Sequence, residues 1–204
     1  MPNAVEIWRQ SLLPRISEAK NILTHLPLAE LARRSGAIAK EGGLELEFLG
    51  KKYFLSQDLT FFDPQGKPAP EEVQAILFDY LVNADGTRPS GEWVGFGDLP
   101  HGSFYQQAFQ SYSGDELVRR LSLPAFRRAA EAAGGIPLPL GDAGYAFPVL
   151  PLLPLAVVWW EGEEGLPPKA VVLFDARASR LLPAEGLAIV GRLLCRWLIK
   201  LGGG

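Results

Sequence analysis

Cysteine is nearly absent: Cys195 is the only one in 204 residues. A lone thiol excludes an intramolecular disulfide, and with no close Cys pair it excludes an iron–sulfur cluster or structural zinc held by this chain alone. Cys195 falls in an apolar helical pattern, where a free thiol acts as a small hydrophobe. Histidine is almost as scarce. His25 and His101 are far apart in sequence, so no metal site is expected, and an axial bond from His101 to a haem or corrinoid metal is the one arrangement left. Charge of one sign is lacking too, since the net charge is −3 and the signs are interspersed. Such a chain has no global field to draw in nucleic acid or an anionic membrane, and neither is expected as a partner. Repeats, low-complexity tracts and a clear linker are missing. The first residues mix acids and bases without the layout of a secretory signal and read as part of the fold, which points to a cytoplasmic protein.

Apolar residues are plentiful at 48%, enough for one substantial core. The charge-free stretch Ala143–Trp160, AGYAFPVLPLLPLAVVWW, approaches the about 20 residues of a membrane helix. Pro148, Pro151 and Pro154 argue against one, because each removes a backbone donor and costs a helix about 3 kcal/mol. Extended strands are expected there, with Leu155–Trp160 paired to Ala170–Asp175 across a turn through EGEEGLPPK, and no membrane span. Glu161, Glu163 and Glu164 in that turn read as solvated charges.

Periodicity supplies the remaining elements. Val5, Trp8, Leu12, Ile16, Ala19 and Leu23 mark one face of a helix that Pro14 would kink or divide. A short helix follows over Leu28–Arg34, ending near Gly36. LELEFLG, KKYFLS and DLTFFDPQGKP read as a three-stranded antiparallel meander with a Gly50–Lys51 turn. Glu71–Ala84 is helical, with Val73, Ile76, Leu77, Tyr80 and Leu81 buried. Asp115–Leu121 and Ala125–Ala133 are two short helices divided at Leu123–Pro124, and Ser122 is placed to cap the second. The last helix runs from about Pro183 to Lys200, burying Leu187, Val190, Leu194, Trp197, Leu198 and Leu201. Arg119–Arg120, Arg127–Arg128 and the Arg192, Arg196, Lys200 stripe read as outer helix faces. The fold class is α+β: one domain over 1–204, a mainly antiparallel sheet covered by helices. Its parts are helices and meander at 1–90, an aromatic and glycine-rich segment at 91–114, helices at 115–134, and strands with a final helix at 135–204.

That segment, GEWVGFGDLPHGSFYQQAFQSYSG, is the most informative in the chain. Trp93, Phe96, Phe104, Tyr105, Phe109 and Tyr112 offer much apolar area, while Gly95, Gly97 and Gly102 free the backbone for sharp turns. A shaped loop of this kind suits ligand binding. Asp98, His101, Ser103 and Tyr105 are the ingredients of acid–base work, but no nucleophile-elbow pattern surrounds Ser103. The plainer reading makes Asp98 a turn cap, Ser103 a helix cap and His101 an exposed loop residue. Gln106 and Gln110 share a helix face and suit either orienting a neutral polar ligand or facing solvent.

The order G-E-W-V-G-F-G-D-L-P-H-G-S-F-Y-Q-Q-A-F, then L-P-L-A-V-V-W-W-E-G-E-E, V-L-F-D-A-R-A-S and L-P-A-E-G-L-A-I-V-G, resembles a prokaryotic family catalogued as domain of unknown function 3786. The resemblance covers most of the chain. It implies an anaerobe's protein with an accessory role near metallocofactor or one-carbon metabolism. Some members resemble iron–sulfur proteins through an added Cys-rich segment, which this chain lacks. Where the family pattern favours a glycine before Gly102, this chain has His101.

The expected function is a binding or accessory protein with a small-molecule or cofactor pocket formed by Trp93, Phe96, His101, Ser103, Tyr105, Gln106, Phe109 and Gln110. One alternative is an enzyme using Asp98, His101 and Tyr105 for proton transfer. Another is a module that meets a protein partner through exposed aromatics such as Trp159 and Trp160.

Overall fold

A computed structural model describes residues 4–163 and 165–203, with side chains described from Leu12 onward. Helix α1, Ala4–Leu23, runs undivided through Pro14. Proline's missing donor costs one helical bond, but Leu12, Ile16, Ala19 and Leu23 are all buried on one face and hold the helix in place. Val5 and Trp8, expected on that face, lie outside the described side chains, as Glu164 lies outside the described residues. Helix α2, Leu28–Ser35, stops where Gly36 adopts φ 72° and its N–H bonds back to Ala32 O at 2.9 Å. This left-handed cap is the usual use of glycine at a helix end.

Next come β1 (Ile38–Lys40), β2 (Gly43–Phe48), β3 (Lys51–Ser56) and β4 (Phe61–Phe62), an antiparallel sheet in the order β1-β2-β3-β4. The meander therefore has four strands, not three. Strand β1 escaped the pattern because its three residues are all exposed, which leaves no alternation to read. The hairpin turn also sits one residue earlier than expected, at Leu49 and Gly50, both with positive φ (49° and 69°). Two positive φ values in a two-residue loop match the twist of the flanking strands. Leu44, Leu46 and Phe48 of β2 alternate inward with Tyr53 and Leu55 of β3.

Helix α3, Glu71–Asn83, packs against α1, and Arg15 of α1 pairs with Asp79 at 2.5 Å. Its buried face is wider than the expected stripe: Ala75 and Phe78 join Ile76, Leu77, Tyr80 and Leu81, while Val73 is only half-buried. The buried Tyr80 hydroxyl donates to Ser35 O at 2.6 Å and accepts from Leu152 N at 3.1 Å. Burial pushes its pKa far up, so it remains a neutral donor. Tyr80→Phe leaves both backbone groups without this partner and is expected to cost about 1–3 kcal/mol in urea unfolding. A loss below about 0.5 kcal/mol would show that water or another group replaces the hydroxyl.

These elements form one compact unit, Met1–Arg88 with Leu150–Leu152 and Arg180–Leu182. The second comprises Pro89–Val149, Leu153–Ser179 and Pro183–Gly204. It contains β5 (Trp93–Gly95), α4 (Gln106–Tyr112), α5 (Gly114–Arg120), α6 (Leu123–Ala132), β6 (Ile136–Leu138), β7 (Ala143–Leu150), β8 (Leu153–Trp160), β9 (Lys169–Asp175) and α7 (Ala184–Gly202). Ser122 caps α6 by accepting from Ala125 N at 3.4 Å, and the division from α5 falls at Leu121–Ser122, so that Leu123 and Pro124 open α6. Pro124 suits a first turn, where its missing donor has no helical acceptor.

The strands of this unit form a five-stranded sheet in the order β5-β9-β8-β7-β6. The charge-free stretch forms the strands β7 and β8 joined by a turn at Pro151 and Leu152, and Leu155–Trp160 pairs with residues 169–174 of β9. No helix among the described residues is long and apolar enough to cross a membrane. Residues 155–159 of β8 are all buried, as in a strand covered on both faces. Trp159, expected on the surface, is 1% exposed and stacks on Phe126 of α6 at 5.3 Å. Trp160, the next residue, points the other way and is 40% exposed. Helix α7 packs on α5 and α6 with Leu187, Val190, Leu194 and Leu198 fully buried. Its buried face is displaced from the expected one. Gly191 and Cys195 are buried in it, whereas Trp197 is half-buried and Leu201 is exposed. The α+β class with antiparallel sheets holds, with two sheets, one in each compact unit, in place of one curved sheet.

Candidate functional site: an aromatic cleft beside helix α7

The aromatic segment begins as an edge strand, β5, whose Trp93 lies opposite Asp175 of β9. It then breaks into two short 3₁₀ turns, Phe96–Asp98 and Ser103–Tyr105, before α4. Local hydrogen bonds fix these turns: Gly95 N donates to Asp98 Oδ2 at 3.0 Å, Leu99 N to Phe96 O at 3.2 Å, and Gly102 N to Leu99 O at 2.9 Å. A Cβ on Gly102 would sit 1.8 Å from Phe96 O, so any side chain there would force the backbone apart. His101, just before it, holds φ at +64°. That left-handed conformation costs a non-glycine residue about 1–2 kcal/mol.

The turns deliver Phe96 onto Phe109 of α4, with ring centroids 4.4 Å apart and planes 25° from parallel. Both rings also meet Phe174 of β9, at 5.8 and 5.7 Å, and Tyr112 stands edge-on to Phe109 at 5.7 Å. Beyond Phe109 lies Gly191 of α7, where a Cβ would come within 2.7 Å of the ring. A missing side chain on α7 thus makes room for the aromatic stack.

Above this stack opens a cleft of about 500 Å³. Phe96, His101, Tyr105, Ala108 and Tyr112 line it from the segment, and Pro183, Ala184, Glu185 and Ala188 from the start of α7. Tyr105 is 62% exposed. Burial raises the Tyr112 pKa against the opposing pull of the Arg192 cation.

Of the residues singled out from sequence, Phe96, His101 and Tyr105 meet in the cleft. Phe109 is buried beneath it, in contact with Phe96. Trp93 is half-buried in β5, and Ser103 is exposed inside a 3₁₀ turn and caps nothing. Gln106 and Gln110 do not line the cleft. The Gln106 amide lies over Gly97, whose Cβ would fall 2.4 Å from Oε1. Gln110 donates to Ala170 O at 2.9 Å and to Asp115 Oδ1 at 2.6 Å, clamping α4 to β9. Asp98 is engaged by Gly95 N and is not in the lining, so Asp98, His101 and Tyr105 do not converge on one space. Among the described residues, no three His, Cys, Asp or Glu side chains are grouped to hold a metal ion.

Ala108 and Tyr112 lie in the segment expected to bind a ligand but were not among the residues assigned to the pocket, although Tyr105, Ala108 and Tyr112 share the spacing of one helix face. Glu185 and Ala188 carried no signal, because only the folded chain brings α7 alongside α4. The fold and cleft together define an α+β protein with an aromatic-floored groove at the edge of a five-stranded antiparallel sheet. The chain belongs to the family described as Domain of unknown function (DUF3786), whose model matches residues 27–197. No curated protein and no solved structure gives a significant match.

Proposed function

We propose that the protein binds a small organic molecule in the cleft between the aromatic segment and α7, as a binding or accessory protein. The observation that carries this reading is the concavity itself. Its volume of about 500 Å³ falls within the range of ligand sites, and its walls combine aromatic faces with a few polar groups from His101, Tyr105 and Glu185. The left-handed His101 supports the reading further, since backbone strain tends to be retained where a side chain serves a site. An accessory role near metallocofactor or one-carbon metabolism, implied by family resemblance, belongs to the same proposal, with His101 as the imidazole nearest to any such ligand.

The test is native mass spectrometry and absorbance of protein purified without oxygen, followed by titration of whatever molecule co-purifies. Tyr105→Phe should weaken that molecule by about 1–3 kcal/mol, the cost of an unmade polar contact in a desolvated site. Because Tyr105 is exposed, its melting temperature should hardly move. His101→Gly should relieve the left-handed strain and leave the protein as stable or up to about 1 kcal/mol more stable, while binding falls. Binding unchanged in both variants would sink the proposal. A second reading, docking of a protein partner, is favoured by Phe104, which is 86% exposed beside the cleft. In that case Phe104→Ala abolishes partner binding, whereas a small molecule in the cleft is unaffected.

A further inference from the structure

Farther along α7 lies a second groove of about 390 Å³, and it differs sharply in charge. Arg120 from the end of α5 and Arg192, Arg196 and Lys200 from α7 line it, with Glu116 as the single carboxylate. This concentration of cations occurs in a chain whose net charge is −3. Arg192, Arg196 and Lys200 follow one another at four-residue intervals, so their stems rise along one face about 6 Å apart. Like charges at that spacing repel and cost a helix a few tenths of a kcal/mol per pair.

The helix dipole does not account for the arrangement. Its favourable field is confined to the last turn, which in α7 contains Lys200 but neither Arg192 nor Arg196. Nor does ion pairing account for Arg196 and Lys200. Glu116 is shared between Arg119 and Arg120, and among the described residues no carboxylate pairs with Arg196 or Lys200. The floor, meanwhile, is apolar: Tyr112, Ile199 and the buried Cys195, whose thiol burial keeps protonated. A concave site with a cationic rim and an apolar floor fits an organic anion of modest size better than a flat macromolecular surface. Arginine, which supplies three of the four cations, forms paired hydrogen bonds to planar or tetrahedral oxyanions.

We propose that this groove is an oxyanion-binding site for a small organic molecule bearing at least two phosphate or carboxylate groups, sharing only Tyr112 with the aromatic cleft. The experiment is calorimetric titration of the full chain at low salt with inorganic triphosphate and, in parallel, with citrate. Saturable one-to-one binding of either supports the proposal, and the preferred anion tells phosphate from carboxylate chemistry. Arg196→Glu and Lys200→Glu, both at exposed positions, should each weaken binding at least about tenfold, as expected for reversing a charge in direct contact. Arg128→Glu on α6 carries the same change in net charge and should have no such effect. Melting curves identify any variant that fails to fold, and the other then decides the matter. No saturable binding of either anion, or an equal loss in Arg128→Glu, overturns the proposal. Binding of poly-glutamate without binding of either small anion also overturns it and makes the groove a contact for an acidic protein.

Discussion

Phe109→Ala should lower the unfolding free energy by about 3–5 kcal/mol, the range for removing a fully enclosed aromatic ring. The ring is 2% exposed and touches three others: Phe96 from the turns, Phe174 from β9 and Tyr112 from α4. Its far edge rests against α7 at Gly191. Truncation would therefore open a cavity among three elements at once. The same geometry makes a second, independent expectation. Gly191→Ala would press a methyl group to within 2.7 Å of the Phe109 ring, and overpacking of this kind costs about 1–3 kcal/mol. In the Phe109→Ala background the ring is gone, and the added methyl should be tolerated or should partly fill the cavity. Urea unfolding of the two single variants and the double variant gives the coupling directly. A Phe109→Ala loss below about 1 kcal/mol, or strictly additive effects, would show that the ring is not wedged between the sheet and α7.

The elements legible in the sequence are those whose signal is local. Three prolines within seven residues, at 148, 151 and 154, cost a helix far more than the single Pro14 that α1 absorbs, so two strands followed from the local sequence alone. The apolar spacing of α1, α3 and α7 is likewise a property of each segment by itself. What could not be read depends on partners distant in the chain. Trp159 and Trp160 are adjacent and identical, yet one is sealed against Phe126 and the other faces outward, because strand alternation fixes opposite faces without saying which is covered. Gln110 looks like a solvated helix residue until β9 offers it the carbonyl of Ala170. The candidate site shows the same limit. Its aromatic wall lies in one continuous segment and was visible, whereas its other wall comes from α7, some eighty residues later. Arg192, Arg196 and Lys200 read as an outer helix face because Arg120, across the groove, belongs to α5.

Asp175→Ala is expected to cost about 3 kcal/mol, since it leaves several donors without their acceptor at a buried position. Asp175 ends β9 at 1% exposure, and sequence reasoning placed no weight on it. Its Oδ2 accepts from Ser90 Oγ at 3.0 Å and Gly91 N at 2.8 Å, and its Oδ1 from Arg177 N at 3.0 Å. The carboxylate thereby fixes the start of the aromatic segment to the end of β9, directly beside the Trp93 pair. Burial by itself would raise its pKa. The hydrogen bonds from Ser90, Arg177 and Gly91 outweigh burial and hold it below the ordinary carboxylate value. A carboxylate depressed in the folded state adds stability above its unfolded pKa of about 3.9, and that increment is lost as pH falls through the lower folded value. The gap in unfolding free energy between the wild-type chain and Asp175→Ala should therefore be constant from pH 7 to about pH 5 and shrink below about pH 4. Urea unfolding across that range checks it. A gap that stays constant through the acid limb would mean that the side chain acts through shape alone, while a gap that widens would mean that the neutral acid is the form the fold prefers.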